Sequence, residues 1–134
     1  MSAKDAGVPR LGPELDAASF ERIAREEVPY AALLDFTVPT FSRERVRVRF
    51  PVGPLLLRPG GSVCGPALFA AADIALWGLV MAWVGRADLA VTVDLDVRFL
   101  AKARGKVLVA EARPVRAGRT LITGEVRICA EEEP

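Results

Sequence analysis

The chain contains no histidine, and this absence removes several kinds of catalytic site. Without an imidazole there is no Ser-His-Asp or Cys-His nucleophilic site and no histidine-containing zinc site. There are only two cysteines, Cys64 and Cys129, too few and too far apart for a disulfide framework or a four-thiolate metal site. We therefore expect no bound metal and a reduced, cytoplasmic setting.

The net charge of the chain is also small. Eighteen Lys and Arg residues oppose seventeen Asp and Glu residues, which leaves +1 on 134 residues. So weak a field favours neither nucleic acid nor an anionic membrane as a partner. The first residues lack a basic region followed by an apolar run, so no secretory signal is predicted. The 51% hydrophobic content is that of one globular domain with a sizeable core.

The start of the chain is rich in glycine and proline and has little periodicity, so we interpret residues 1–18 as a mobile leader and residues 19–134 as a single domain. Ser19 is a candidate N-cap for a short amphipathic helix that ends near Pro29. Alternating apolar and polar residues then predict strands. Their ranges are 32–41, 43–50, 91–99, 106–115 and 120–129, the last two joined as a hairpin.

Residues 67–84 are apolar on every side except at Asp73 and contain no proline. A helix of this kind is either buried or spans a membrane. We favour burial, because an aspartate in the middle of a membrane span is costly and the flanking strands need this helix as their core. One buried helix and an antiparallel sheet make an α+β domain.

Asp73 is a candidate for chemistry on physical grounds alone. Its helical neighbours three and four residues away are Phe69, Ala70, Leu76 and Trp77, and none can pair with a carboxylate. Burial would disfavour the charged form of this carboxylate and suit it to general-base work near neutral pH. The alternative is a structural aspartate held by backbone amides or by an arginine of the sheet.

Glycines precede the helix, and Pro66 is predicted to stand at its first position. Free amides at a helix start carry the positive end of the helix dipole and can hold an anion or a developing oxyanion. Pro66 has no N–H, so Gly65 and Ala67 are the possible donors. The alternative interpretation is a simple tight turn.

Residues 61–66, followed by an alanine-rich helix with Asp73, resemble the hotdog thioesterases of the PaaI-like type. That family has a His-Gly-Gly at the helix entrance and a catalytic Asp nine residues after the His. Here Cys64 stands at the His position, Gly65 at the first Gly and Pro66 at the second. Residues 90–100 are similar to the family's next strand. The resemblance implies a hotdog fold, in which an antiparallel sheet wraps around one long central helix.

The resemblance also implies an activity and its residues. The chain would be an acyl-coenzyme A thioesterase, with Asp73 as general base or nucleophile, the Gly65 amide as oxyanion donor and Thr92 orienting Asp73 or water. Thr92 is equally well explained as an ordinary strand residue. The family implies a homodimer, or a homotetramer, in which Gly65 and Asp73 of one site come from different chains. Coenzyme A would be part of the substrate, with no further cofactor.

Side chains expected near the substrate are those at the helix entrance and the arginines that could meet phosphates. They are Arg58, Cys64, Pro66, Arg98 and Arg119. Exposed basic residues are, however, usually solvated surface. Cys64 could be a nucleophile at the helix start, but without a histidine a general acid is missing, so a small packed side chain is the simpler interpretation.

The sequence departs from the family at the entrance and at the end. Cys64 replaces the His, Arg58 stands where an Asn is frequent, and relatives have one more strand after the equivalent of Cys129. These departures leave open a non-catalytic hotdog protein that binds acyl-coenzyme A or serves a structural role. A dehydratase on the same fold is disfavoured, because such enzymes usually employ a histidine.

Overall fold

The computed structural model describes residues 7–131 and forms two helices and one sheet there. In chain order the elements are α1 (Ala17–Glu27), β1 (Thr37–Phe41), β2 (Val46–Pro51), α2 (Gly65–Val84), β3 (Val107–Ala117) and β4 (Ile122–Ala130), with 3-10 turns at Pro29–Leu34 and Pro54–Leu56. The strands lie in the order β1-β2-β3-β4, and every neighbouring pair is antiparallel. The predicted α+β architecture with one long central helix is confirmed.

Helix α1 begins three residues earlier than predicted, because Asp16 and not Ser19 is its N-cap. The Asp16 carboxylate accepts from the Ser19 N–H at 2.8 Å, and the Ser19 hydroxyl oxygen accepts from the Asp16 N–H at 2.9 Å. The first of these bonds lowers the pKa of Asp16, since it stabilises the carboxylate form. The capped helix buries Phe20, Ile23 and Ala24 against the domain.

The described part of the leader lies across the C-terminal end of α2. The Leu11 and Gly12 N–H groups donate to the Val84 carbonyl at 2.8 and 3.3 Å, and the Arg86 N–H donates to the Pro13 carbonyl at 3.0 Å. These bonds satisfy backbone groups that a helix end otherwise leaves unpaired. The division into a leader at 1–18 and a domain at 19–134 stays a prediction, and residues 1–6 lie outside the described residues.

The alternating apolar residues of strand β2 are buried in the core, as the sequence predicts. Val46, Val48 and Phe50 are fully buried, while the alternating arginines lie on the other face of the sheet. The strand predicted over 32–41 is wrong in its first half. A 3-10 turn opened by Pro29 occupies that half, and Asp35 follows in the left-handed region at φ 50°. The extended conformation therefore begins only at Thr37.

Helix α2 is the core of the domain. Its 20 residues are long and apolar enough to cross a membrane by length and composition, but 61% of that stretch is buried inside the protein. Gly78 allows its close packing, since a Cβ there would lie 3.0 Å from both Phe20 and Val46. One stripe of the helix is left uncovered, and its exposed members are Pro66, Phe69 and Asp73.

The strand predicted over 91–99 is wrong for the single chain. Residues 87–106 form neither helix nor strand, and within residues 7–131 no backbone pairs with 91–99. A strand is stable only beside a neighbour that accepts its backbone hydrogen bonds. Val91 and Val93 are consequently 81% and 78% exposed, although their alternation is typical of a half-buried strand.

Candidate active site

The entrance of α2 offers a free backbone donor. Cys64 is the N-cap with an extended backbone, its N–H donates to the Leu56 carbonyl at 2.8 Å, and no side chain caps the helix. Pro66 occupies the first turn. Gly65 is half-buried, and no group among residues 7–131 accepts a hydrogen bond from its N–H. Together with the helix dipole, this amide can stabilise negative charge on a bound oxygen.

A cavity of about 460 Å³ opens beside this amide. Its walls combine apolar groups with two cations. The lining includes Arg58, Ser62, Gly65, Leu68, Phe99 and Lys102. A third cation is held close by, because Arg104 Nη1 donates to the Gly60 carbonyl at 3.0 Å.

Phe99 covers the entrance, a role that its place in the alternating pattern does not predict. A Cβ on Gly65 would lie 3.6 Å from the Phe99 ring, and the Phe69 and Phe99 ring centroids are 6.0 Å apart. Alternation groups Phe99 with the valines before it, so it is predicted only as an apolar strand residue. The position of Lys102 three residues later was the one available signal, since it is a cation close to the end of that segment.

Asp73 is exposed, so the expectation that it is buried is wrong for the single chain. The physical reason is that sheet and α1 cover the other sides of α2 and leave the stripe with Asp73 open. The carboxylate is not held by an arginine of the sheet either. Its recorded partner is Thr92, whose hydroxyl donates to Asp73 Oδ1. The structure thus brings together two of the three residues predicted to be catalytic.

Gly65 and Asp73 are eight residues apart on one helix. At about 1.5 Å per residue they are separated by roughly 12 Å along its axis. One carbonyl group cannot contact both at that distance. Within the single chain, the Gly65 amide and the Asp73 carboxylate therefore do not act on the same carbonyl.

The predicted substrate-binding residues fall into two groups. Arg58, Cys64 and Pro66 lie together at the α2 entrance. Arg98 is exposed and pairs with Asp96 at 3.8 Å, and it does not line the cavity. Arg119 lies in the β3–β4 turn against Gly7, so the structure does not bring it to the entrance in the same chain.

Metal binding has no candidate site in this part of the chain. Residues 7–131 contain no group of three or more Cys, Asp or Glu side chains that could hold a metal ion. The two thiols are free; Cys64 is half-buried and Cys129 is exposed.

The model of a family described as the thioesterase superfamily matches residues 60–134. No curated protein matches the chain in a sequence comparison. A proposed thioesterase from Silicibacter sp. is 31% identical, with a TM-score of 0.77 over 96% of this chain and 87% of that chain.

Two further structures extend the comparison. The E. coli PaaI protein from the phenylacetic acid degradation operon is 22% identical, with a TM-score of 0.64 over 84% of this chain and 85% of that one. A hypothetical thioesterase from Streptococcus pneumoniae, solved with coenzyme A, is 24% identical, with a TM-score of 0.65 over 78% and 83%. The expected hotdog fold is confirmed by these similarities.

Proposed function

Because this chain belongs to the thioesterase superfamily and is a hotdog protein of the PaaI type, we propose that it hydrolyses acyl-coenzyme A thioesters. The observation that carries the proposal is the hydrogen bond from Thr92 to Asp73. It fixes the orientation of a carboxylate on the central helix that has no other recorded partner among residues 7–131. A carboxylate oriented by a neighbouring hydroxyl keeps its second oxygen free to act.

Asp73 acts as general base on a water molecule, or attacks the thioester carbonyl itself. In the first route, water forms the new C–O bond while the carboxylate takes its proton. In the second, a mixed anhydride forms on the carboxylate and water then hydrolyses it. In both, the C–S bond breaks and coenzyme A leaves as the thiolate, which takes a proton from the protonated carboxyl group in the first route and from solvent in the second. The Gly65 amide stabilises the oxyanion that develops on the carbonyl.

A homodimer completes the site, because Gly65 and Asp73 are too far apart in one chain. The exposed apolar segment at 91–99 lies directly beside Asp73, as the bond from Thr92 demonstrates. Packing of this segment against a second copy would remove Val91 and Val93 from water, and that is favourable. The same contact would withdraw Asp73 from solvent and place the second copy's Gly65 amide near it. A homotetramer is a further assembly of the same chains.

We propose that the nucleotide part of coenzyme A binds at the entrance cavity, beside its cationic side chains. Arg58 and Lys102 are the cations that line this cavity, and phosphate oxygens form charge-assisted hydrogen bonds with such groups. The solved relative from S. pneumoniae contains coenzyme A. We propose that coenzyme A enters only as part of the substrate, that no other cofactor is used, and that the enzyme is cytoplasmic.

A second candidate is a hotdog protein that binds acyl-coenzyme A without cleaving it. The observation that favours it is Cys64, which stands where the family has a histidine and whose backbone N–H is already used by Leu56. The α2 entrance therefore has the free N–H of Gly65 but no imidazole, so it could bind the ester without cleaving it.

The test is hydrolysis of a panel of acyl-coenzyme A esters by the wild-type chain and by Asp73→Asn. We expect turnover by the wild type and a loss of at least about 100-fold in kcat in the variant, as is typical for removal of a catalytic acid or base. Asp96→Asn, on an exposed residue of the nearby segment, is the matched control and should retain activity. Binding of the esters without turnover by the wild type would establish the second candidate instead.

A further inference from the structure

The entrance cavity contains a buried hydroxyl group that has no partner in the described part of the chain. Among residues 7–131, Ser62 is the one polar residue that is buried, with 4% of its surface exposed. It lines the cavity beside Gly65. No group of these residues forms a hydrogen bond with its hydroxyl, yet the hydroxyl oxygen is not sealed from solvent. The Ser62 hydroxyl therefore opens into the cavity.

Backbone hydrogen bonds hold Ser62 firmly in this position. The Arg58 N–H donates to the Ser62 carbonyl at 2.9 Å, and the N–H of the next residue, Val63, donates to the Ala103 carbonyl at 2.8 Å. These bonds fix the chain on both sides of the hydroxyl. A side chain supported in this way is preorganised for a ligand, so little conformational freedom is lost when the ligand binds.

A ligand that fills the cavity has to supply the missing partner. A serine hydroxyl has one donor and two acceptor positions, and solvent can satisfy them while the cavity is open. A bound ligand excludes that solvent, and a buried hydroxyl without a hydrogen bond is unfavourable. An alkyl or aryl acyl group offers no acceptor. Near the reacting end of an acyl-coenzyme A ester, the acceptors are the thioester carbonyl and the pantetheine amide carbonyls.

The thioester carbonyl is the favoured partner, because the α2 entrance has few other donors for it. Gly65 offers a free N–H, Pro66 has none, and the Cys64 N–H is already bonded to the Leu56 carbonyl. An oxygen on which negative charge develops is stabilised by fixed donors aimed at it, and a second donor adds to the first. Ser62 lies three residues before Gly65 in the same segment, and both line one cavity.

We propose that Ser62 is a catalytic residue, whose hydroxyl donates a hydrogen bond to the thioester carbonyl oxygen together with the Gly65 N–H. As the tetrahedral intermediate forms, this oxygen gains negative charge and the bond from Ser62 strengthens. The proton stays on the hydroxyl, and no covalent bond to Ser62 forms. The inference deepens the proposed function and rests on binding of an acyl-coenzyme A ester at the α2 entrance. It is the same whether Asp73 acts as base or as nucleophile.

The first test is the kinetics of Ser62→Ala, which removes only the hydroxyl. We expect kcat to fall about 100-fold or more with little change in KM, as for the loss of other oxyanion donors. The melting temperature should stay at or above that of the wild type, because the hydroxyl has no protein partner to lose. Ser42→Ala is the matched control. It removes a hydroxyl that bonds Arg45 in the β1–β2 turn and does not line the cavity, so kcat should not change.

The second test does not require turnover. In the Asp73→Asn background, isotope-edited infrared spectroscopy records the carbonyl band of bound phenylacetyl-coenzyme A, labelled with carbon-13 at its thioester carbonyl. A hydrogen bond to a carbonyl lowers its stretching frequency. Ser62→Ala in this background should therefore shift the band of the bound ester to higher frequency, and Ser42→Ala should leave it in place.

The two tests separate this inference from the proposed function. An unshifted band in the Ser62→Ala background overturns the inference, even if the wild type is an active thioesterase. A rise in KM at unchanged kcat also overturns it, since Ser62 would then contact another part of the substrate. A shifted band with a wild type that hydrolyses no ester would overturn the proposed hydrolysis and would support Ser62 as a donor to the carbonyl.

Discussion

Replacement of Gly124 by alanine should destabilise the domain, because β4 lies so close to α2 at this point. A Cβ on Gly124 would be 2.9 Å from the Arg113 carbonyl oxygen, 2.9 Å from Leu76 Cδ2 and 3.0 Å from Leu79 Cδ2. The two leucine methyls can move, but the carbonyl belongs to the paired strand β3 and cannot turn away without loss of ladder bonds. Overpacking of this kind costs about 1–3 kcal/mol.

Alanine is also slightly better suited to a strand than glycine, but that gain is below about 1 kcal/mol, so a net loss is expected. The assay is urea denaturation followed by circular dichroism, with comparison of the free energies of unfolding. Gly53→Ala is the matched control, because a Cβ there meets nothing within 4 Å and its φ of −105° suits alanine. The control should be neutral or gain about 0.4–1 kcal/mol. Equal stability of wild type and Gly124→Ala would refute the reasoning.

Two further predictions concern single hydrogen bonds. Thr92→Val removes the hydroxyl that donates to Asp73 and should lower kcat about 10- to 100-fold with little change in KM, since a hydrogen bond to a charged group contributes about 1.5–3 kcal/mol. Thr92→Ser should restore the rate, and a fully active Thr92→Val would contradict the assigned role. Asp16→Ala removes the cap of α1 and should lower the melting temperature at neutral pH. Because the pKa of Asp16 is lowered in the folded state, the difference from wild type should shrink as the pH falls below its ordinary value of about 3.8. A difference that stays constant down to pH 2 would show that the charge is irrelevant.

Much of the fold could be predicted because its elements carry local patterns. The period of two in Val46, Val48 and Phe50 and the unbroken apolar run of α2 each depend on one segment and its burial. The cap of α1 was misplaced because Asp16 and Ser19 are both good caps, and only the reciprocal bonds of the structure decide between them. Such patterns do not predict the 3-10 turn before β1. The strand cannot extend back through Asp35, because this residue has a left-handed backbone conformation.

The positions of the candidate site residues could be predicted, because they depend on spacing along the chain. Their burial could not, because it depends on which other segment packs against them. The positions of Gly65 and Asp73 follow from the resemblance, and their separation on α2 follows from helix geometry. The exposure of Asp73 does not follow, because an apolar helix gives no indication of which side a single chain leaves uncovered. The prediction of a strand at 91–99 is wrong for the same reason. Its alternation indicates one apolar face, but not whether the chain itself supplies a neighbouring strand.

The contact between the leader and the end of α2 has a consequence for how the domain assembles. Leu11 and Val84 are distant in sequence yet share a hydrogen bond of 2.8 Å, so this junction can close only after the whole helix has been synthesised. Contacts between such remote residues tend to form late in folding. Loss of Leu11 and Gly12 by proteolysis would therefore remove the donors that the Val84 carbonyl uses and would loosen the core from the C-terminal end of α2.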